Sequence, residues 1–417
     1  MIHHSLYDSR TNRAPVLEGT LISSDGADFL GFFGGSTGWD GFVDNRYRFS
    51  LAAQGGEFLI GFIDYYSSSY GYHGAIQAET GSGFFSDFEI EPWARVGDVA
   101  TSPSGSSWTA FYRSGSTVYR RTLSSGSSIG SERSVGTGSS SLRDIRAAGD
   151  LVTWWDPSSR EVAVVRWSGG AAPKRTFATE SSWTYNPEIA EGDSTYLYVW
   201  EDDPTGGTDR VFAQLIGTDG IASGDTIALG PAQDPDVTWT GSEFLVVMRV
   251  GEDIGAVRIS GDGVLLDGTP AILTEDIDTV CLRPSVDSDG RRRALVAYDR
   301  FVDISGSFQV RTRIVDLAVA GTDPMGAPCE NGWTCASGFC ADGVCCSAPC
   351  TGACETCSAS SGATADGACT PVSAGTPCRA ADGECDVAES CDGSAGTCPA
   401  DGVAAAGTAC GAGPTGP

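Results

Sequence analysis

Residues 186–215 read NPEIAEGDSTYLYVWEDDPTGGTDRVFAQL. The segment holds a short Pro-led strand at Asn186-Pro187-Glu188-Ile189, a Gly-containing turn, and a continuous apolar run at Leu197-Tyr198-Val199-Trp200. An alternating strand, Val211-Phe212-Ala213-Gln214-Leu215, follows. A run that is apolar at every residue has both faces buried, as when sheets stack on each other. Alternation signals one face turned toward solvent.

The same grammar recurs along the chain. Pro-led openings return at Asp234-Pro235-Asp236-Val237 and Arg283-Pro284-Ser285-Val286. Apolar second strands stand at Leu59-Ile60-Gly61-Phe62, Thr109-Ala110-Phe111-Tyr112, Val152-Thr153-Trp154-Trp155, Leu245-Val246-Val247-Met248 and Leu295-Val296-Ala297-Tyr298. Alternating third strands follow at Val162 to Arg166, Ile254 to Arg258 and Val310 to Ile314. The repeat is roughly 43–50 residues, the length of a four-stranded propeller blade. The expected fold is therefore all-β, a six-bladed β-propeller, with a seven-bladed ring as the rival. Six units fit between about residue 44 and residue 318.

The N-terminal remainder suggests how such a ring closes. Leu21-Ile22-Ser23-Ser24-Asp25-Gly26 mirrors Leu215-Ile216-Gly217-Thr218-Asp219-Gly220, and Phe29-Leu30-Gly31-Phe32-Phe33 reads as a fourth strand. The last unit lacks an evident fourth strand. A strand from 28–33 entering that blade would remove both exposed edges. The expected domains are a ragged N-terminus at 1–15, a propeller at 16–320 and a linker at 321–328. Cys-rich modules follow at 329–369 and 370–417, the last truncated.

Composition bounds the compartment and the partners. Fourteen of the fifteen cysteines lie in the last ninety residues. They are Cys329, Cys335, Cys340, Cys345, Cys346, Cys350, Cys354, Cys357, Cys369, Cys378, Cys385, Cys391, Cys398 and Cys410. A segment this rich in cysteine builds little core and is stapled by disulfides, which persist in oxidising compartments. Zinc is the competing reading for Cys354-x2-Cys357, but the tail has no histidine and no paired-knuckle spacing. Cys281 is left as a lone thiol, and Cys410 is the tail cysteine whose partner is in question.

The net charge of −28 excludes a generic nucleic-acid binder. Lys174 is the single lysine, a bias that points to a GC-rich bacterial genome. No hydrophobic run is long enough to span a membrane. MIHHSLYDSRTNRAP has no apolar core of the signal-peptide kind, so the chain reads as truncated at both ends.

From Cys378 to Asp401 the tail runs CRAADGECDVAESCDGSAGTCPAD. This resembles the C-terminal half of a disintegrin domain, whose pattern is C-R-x-x-x-x-E-C-D-x-x-E-x-C-x-G-x-S-x-x-C-P-x-D. The resemblance implies a structural Ca²⁺ held by Asp386, Glu389 and Asp401, with backbone carbonyls of Val387 and Gly402. Oxygen donors on a disulfide-fixed loop suit that ion. The sequence departs at Gly402-Val403-Ala404, where the family continues into another cysteine. The integrin-binding tripeptide is absent, the loop reading Arg379-Ala380-Ala381-Asp382-Gly383-Glu384. The repeat array is similar to propeller-like repeats of secreted myxobacterial proteins, which implies an exported protein and no defined activity.

Candidate chemistry in the propeller is sparse. An acidic residue recurs after the second strand: Asp64, Asp156, Glu201 with Asp202, and Asp299, replaced by Arg113 and Arg249 in two units. Equivalent strand ends share one face of a propeller, so these residues form a possible ligand face. Asp is also a default turn residue. His73, in the Tyr/Ser-rich connection Tyr65 to His73, is the sole histidine base of the repeats. Thr101 to Trp108 only approaches an Asp-box turn, with Pro103 where the aspartate belongs.

With so little histidine and no nucleophile motif, the expectation is a protein without enzymatic activity. It would be an extracellular or cell-surface binding or adhesion protein with a protein or glycan ligand, its stapled tail a spacer or second binding module. The alternatives are a propeller glycoside hydrolase or lyase acting on extracellular polysaccharide, and a passive structural stalk.

Overall fold

The structure is a computed structural model. It describes backbone at 2–6, 16–22, 29–36, 42–43, 50–54, 57–66, 69–78, 87–92 and 97–101. Fuller description covers 107–124, 128–168, 173–179, 184–202, 208–274, 280–302, 307–317, 321–329, 332, 334–381 and 385–404. The chain divides into two compact units, Met1–Leu265 with Ile272–Val315, and Leu266–Ala271 with Asp316–Pro417.

The first unit is a β-propeller of antiparallel meanders. Blade 1 runs through Ser50–Gln54, Glu57–Tyr66, Ser69–Ala78 and Asp87–Pro92. Blade 2 uses Gly97–Thr101, Trp108–Ser114, Thr117–Ser124 and Arg133–Thr137. Blade 3 uses Arg143–Ala148, Leu151–Asp156, Glu161–Arg166 and Arg175–Ala178. Blade 4 uses Thr184–Glu191, Thr195–Asp202, Arg210–Gly217 and Ala222–Pro231. The inner strands of blade 5 are Gln233–Trp239, Glu243–Val250 and Asp253–Ser260. Blade 6 has three strands among the described residues, Cys281–Ser288, Arg293–Val302 and Ser307–Asp316. The first strands of successive blades lie side by side in chain order.

Closure differs from expectation. Phe29–Ser36 does not enter blade 6; it pairs with Val16–Ile22, which also pairs with Ile2–Leu6, in a separate three-stranded sheet. The N-terminal segment supplies its own neighbours, and local pairing closes a smaller loop than reaching the far end of the chain. His73 is likewise not in a loop. It sits mid-strand opposite Phe62, in a hairpin joining Glu57–Tyr66 to Ser69–Ala78.

The second strands are the core. Leu151–Asp156 is buried at every residue, as is Tyr196–Asp202. Alternate side chains of one strand feed different interblade layers. Leu197 and Val199 pack with Val246 and Met248 of blade 5. Tyr196, Tyr198 and Trp200 pack with Leu151 and Trp155 of blade 3. Replacing a side chain such as Trp200 by alanine would cost about 3–5 kcal/mol. The third strands are more buried than their alternation suggests: Val162–Val165 and Val211–Ile216 are buried throughout. The fourth strands take the solvent-facing place instead, Arg175–Ala178 being mostly exposed.

Polar bonds join neighbouring first strands. Arg146 Nε donates to Glu188 Oε2 at 2.9 Å, Asn186 Nδ2 to Asp234 Oδ1 at 2.7 Å, and Val286 N to Asp236 Oδ2 at 2.8 Å. Trp108, the last residue of the segment that approached an Asp box, donates its indole N–H to Ala52 O of blade 1 at 3.1 Å. In the turn between the first and second strands of blade 5, Gly241, with φ +93°, lies so close to Gly290 O that an added Cβ would collide with it. Only glycine fits there.

The second unit is small hairpins held by six disulfides among the described residues. They are Cys329–Cys340, Cys335–Cys345, Cys346–Cys357, Cys350–Cys369, Cys354–Cys391 and Cys378–Cys398. Cys385 is also disulfide-bonded. Cys410 lies outside the described residues, and Cys281 is a buried cysteine outside the disulfide set. No helix among the described residues is long and apolar enough to cross a membrane.

Candidate functional site

Each first strand of blades 3 to 6 carries a bulge near its start, and each bulge holds a residue in the left-handed region. The residues are Asp144 (φ 55°), Asn186 (φ 50°), Asp234 (φ 50°) and Arg283 (φ 49°). The register shifts fall between Arg143 and Arg146, Tyr185 and Glu188, Gln233 and Asp236, and Leu282 and Ser285. Asn and Asp tolerate this conformation better than most residues. In three of the four the next residue is proline, which fixes the second half of the bulge. The residue before each bulge pairs with the end of the second strand, Tyr185 with Glu201 and Leu282 with Asp299. Antiparallel geometry therefore gathers the bulges and the second-strand ends on one rim.

On that rim the expected acidic face splits into different environments. Asp156 is buried and accepts from Ser139 N and Ser139 Oγ, both at 2.6 Å, and from Ser158 N at 3.1 Å. Burial would raise its pKa, but these bonds and the charge of Lys174 hold the carboxyl below its ordinary range. It pins a turn. Asp299 is buried and ion-paired to the exposed Arg283 at 2.8 Å. Asp202 is fully buried on the blade 3 side of its strand. The Asp64 side chain and residues 203–207 lie outside the described residues.

Glu201 is the exception. It projects toward blade 5, is 7% exposed, and accepts at Oε2 from Asn186 Nδ2 (3.2 Å) and from the backbone N–H of Asp234 (2.9 Å). Asn186 Nδ2 also donates to Asp234 Oδ1, so one amide bridges two carboxyl groups. Burial first, then the negative charges of Asp234 and Asp209, push the Glu201 carboxyl up, against the pull of the two hydrogen bonds. Asp209 in turn accepts from Gln233 Nε2 of blade 5. Two neighbouring carboxyl groups, one of them buried and pushed up, form the arrangement that proton-transfer chemistry uses. Asn186 and Asp234 escaped nomination because they read as strand openings. The signal was the Asn-Pro pair of blade 4 and the Asp-Pro pair of blade 5, standing at the same offset before their second strands.

The three acids named in the tail lie together. Carboxylate oxygens of Asp386, Glu389 and Asp401 all lie within 4.8 Å of one another. Val387 pairs with Gly402, which sets the two expected carbonyl contributors side by side. Glu389 is buried and its Oε1 accepts from Gly402 N at 2.8 Å. These are hard oxygen donors, the kind Ca²⁺ takes. One partner was not foreseen. Arg379 Nη1 lies 2.7 Å from Asp401 Oδ1 and 3.5 Å from Glu389 Oε2, so a guanidinium already balances part of the charge.

No protein-family model matches the sequence, and no curated protein matches it. Solved structures do. An α-L-arabinanase of Penicillium chrysogenum, complexed with arabinobiose, is similar at 12% identity over 66% of this chain and 95% of its own, TM-score 0.43. An α-L-arabinofuranosidase of Fusarium graminearum is similar at 12% identity over 66% of this chain and 96% of its own, TM-score 0.41. A Lactobacillus plantarum protein is similar at 11% identity over 75% and 98%, TM-score 0.45. Enzymes stand among these neighbours, which corrects the expectation of a chain without enzymatic activity. At such identities the likeness is one of fold, and it brings neither substrate nor mechanism with it.

Proposed function

We propose that the propeller is a carboxylate-based glycoside hydrolase or lyase acting on extracellular polysaccharide at the rim between blades 4 and 5. Glu201 is the proton donor and Asp234 the second carboxylate. The carrying observation is the Glu201 carboxyl, buried and pushed up beside Asp234 and Asp209. A general acid needs that shift to hold its proton near neutral pH. Both carboxyl groups bind one amide nitrogen, so they sit close enough for paired glycosidase chemistry, which spans separations of about 5–9.5 Å. The disulfide-stapled unit supports a location outside the cytosol.

The test is release of new sugar ends from a panel of extracellular polysaccharides by the full chain and its Glu201→Gln and Asp234→Asn variants. The expected result is turnover on one class of glycan, reduced about 10²–10⁴-fold by Glu201→Gln. Binding of a glycan without turnover would reduce the propeller to a recognition platform. In the tail we propose Ca²⁺ on Asp386, Glu389 and Asp401, in competition with Arg379.

A further inference from the structure

Neighbouring blades meet through apolar layers that differ in kind. Between blades 4 and 5 the layer is mainly aliphatic, built on Leu197, Val199, Val246 and Met248. Between blades 3 and 4 it is aromatic, Trp155 meeting Tyr196, Tyr198, Trp200 and Phe212.

That aromatic layer carries polar atoms with nothing to bond. Trp155 Nε1, Trp200 Nε1 and the Tyr198 hydroxyl are buried with no hydrogen-bond partner among the described residues. Each of the three side chains is at most 1% exposed. Thr184 Oγ1 is in the same condition and on the same side, because Thr184 pairs directly with Asp202, two residues beyond Trp200. Three other indoles find acceptors, while Trp154 Nε1, in the layer between blades 2 and 3, is likewise buried and unpartnered among the described residues. Trp108 Nε1 donates to Ala52 O, Trp167 Nε1 to Gly149 O, and Trp239 Nε1 to Asp193 Oδ1.

Buried polar groups are nearly always partnered, by protein or by ordered water. Four orphans in one layer would consume a large part of a domain's net stability. An indole N–H can only donate, so whatever answers it must accept. The rings of the layer contact one another: Tyr198–Trp200 and Trp200–Phe212 centroids are 5.8 Å apart and Phe177–Trp200 6.0 Å, within the aromatic contact range of about 4.5–7 Å. Asp144, Arg146 and Glu188 of the inner strands act electrostatically on Tyr198. The Arg143 guanidinium, 4.7 Å from the Trp155 ring centroid, brings the bases level with these two acids, so neither an anion nor a cation is favoured. Water both donates and accepts, and it fits.

We propose that the layer between blades 3 and 4 is a binding site for ordered internal water. The water accepts from the indoles of Trp155 and Trp200 and links the Tyr198 hydroxyl toward the inner strands at Arg146 and Glu188.

Two measurements on the full chain test this. Tyr198→Phe deletes one oxygen and little else. If water holds that hydroxyl, the variant unfolds at lower denaturant than wild type. An unchanged or higher midpoint means the hydroxyl was a true orphan and overturns the site. Independently, wild type labelled with ¹⁵N-tryptophan should show cross-relaxation from long-lived water to the Trp155 and Trp200 indole protons, and none to Trp108, whose acceptor is a carbonyl. Silence at both indoles overturns the proposal whatever the variant does.

Discussion

The backbone N–H of Asp234 donates to Oε2 of Glu201 across the seam between blades 5 and 4, at 2.9 Å. Asp234 has φ 50°. The bulge that forces this conformation thus supplies the N–H that steadies the carboxylate, so local strain and site geometry have one cause.

Glu201 and Asp156 should answer pH in opposite directions. Glu201 is raised above its ordinary value of 4.5, so its contribution is fully present below 4.5 and lost as pH climbs through the folded value. Asp156 is lowered from 3.8, so its contribution is present above 3.8 and lost as pH falls through the folded value. Denaturant titrations should find Glu201→Gln more stable than wild type at pH 8, the gap closing near pH 4. Asp156→Asn should be less stable by about 1.5–3 kcal/mol at pH 8, from lost hydrogen bonds to a charged group.

Asp234→Gly should separate backbone from carboxylate. Glycine accepts the positive φ and keeps the N–H, so thermal stability should hold within about 1 kcal/mol. Sugar release should fall as far as in Asp234→Asn. Asp234→Val, β-branched and strained at that φ, should instead unfold earlier, as circular dichroism melts would show.

The Cys354–Cys391 bridge spans a sequence separation of 37, against 10 for Cys335–Cys345. Removing both cysteines of the longer loop should destabilise the Cys-rich unit by about 1 kcal/mol more than removing the shorter pair, on loop entropy. Hydrogen exchange should register the loss there, with the second strands of the propeller unchanged.

Arg379→Gln should strengthen calcium binding. The guanidinium is the counter-charge on Asp401 and Glu389, and its removal leaves the carboxylates to the ion. Limited proteolysis of the full chain in millimolar calcium against chelator should show greater protection of the tail in the variant. Equal cleavage in all four samples would leave Arg379 as the cluster's permanent cation.

The repeat was legible because a strand buried on both faces has a plain sequence form. Leu197-Tyr198-Val199-Trp200 and its counterparts all fall within the second strands of their blades. The third strands misled because burial there is shared with small and polar residues. Gln214 interrupts the apolar run yet is buried, its amide bonded to Leu215 O and Ser223 O. The rim was legible as a place but not as a site. Asp156, Glu201 and Asp299 share a sequence position class, and only their neighbours, a serine turn, an Asn–Asp pair and an arginine, make them chemically unlike. Those neighbours are a blade or a loop away in sequence. The N-terminal pairing failed for a related reason: an alternating strand fits any partner edge, and its sequence does not name one.

The bonds that join first strands also fix the order of the blades. Arg146, Glu188 and Asp236 follow their bulges at the same offset, yet the first meets the second as cation to anion, and the third is answered by Ser285 and Val286. Copy blade 3 in tandem and Arg146 would face another Arg146 in place of its Glu188 partner. Insertion or exchange of a single blade at that seam would therefore put like charges where a cation now meets an anion.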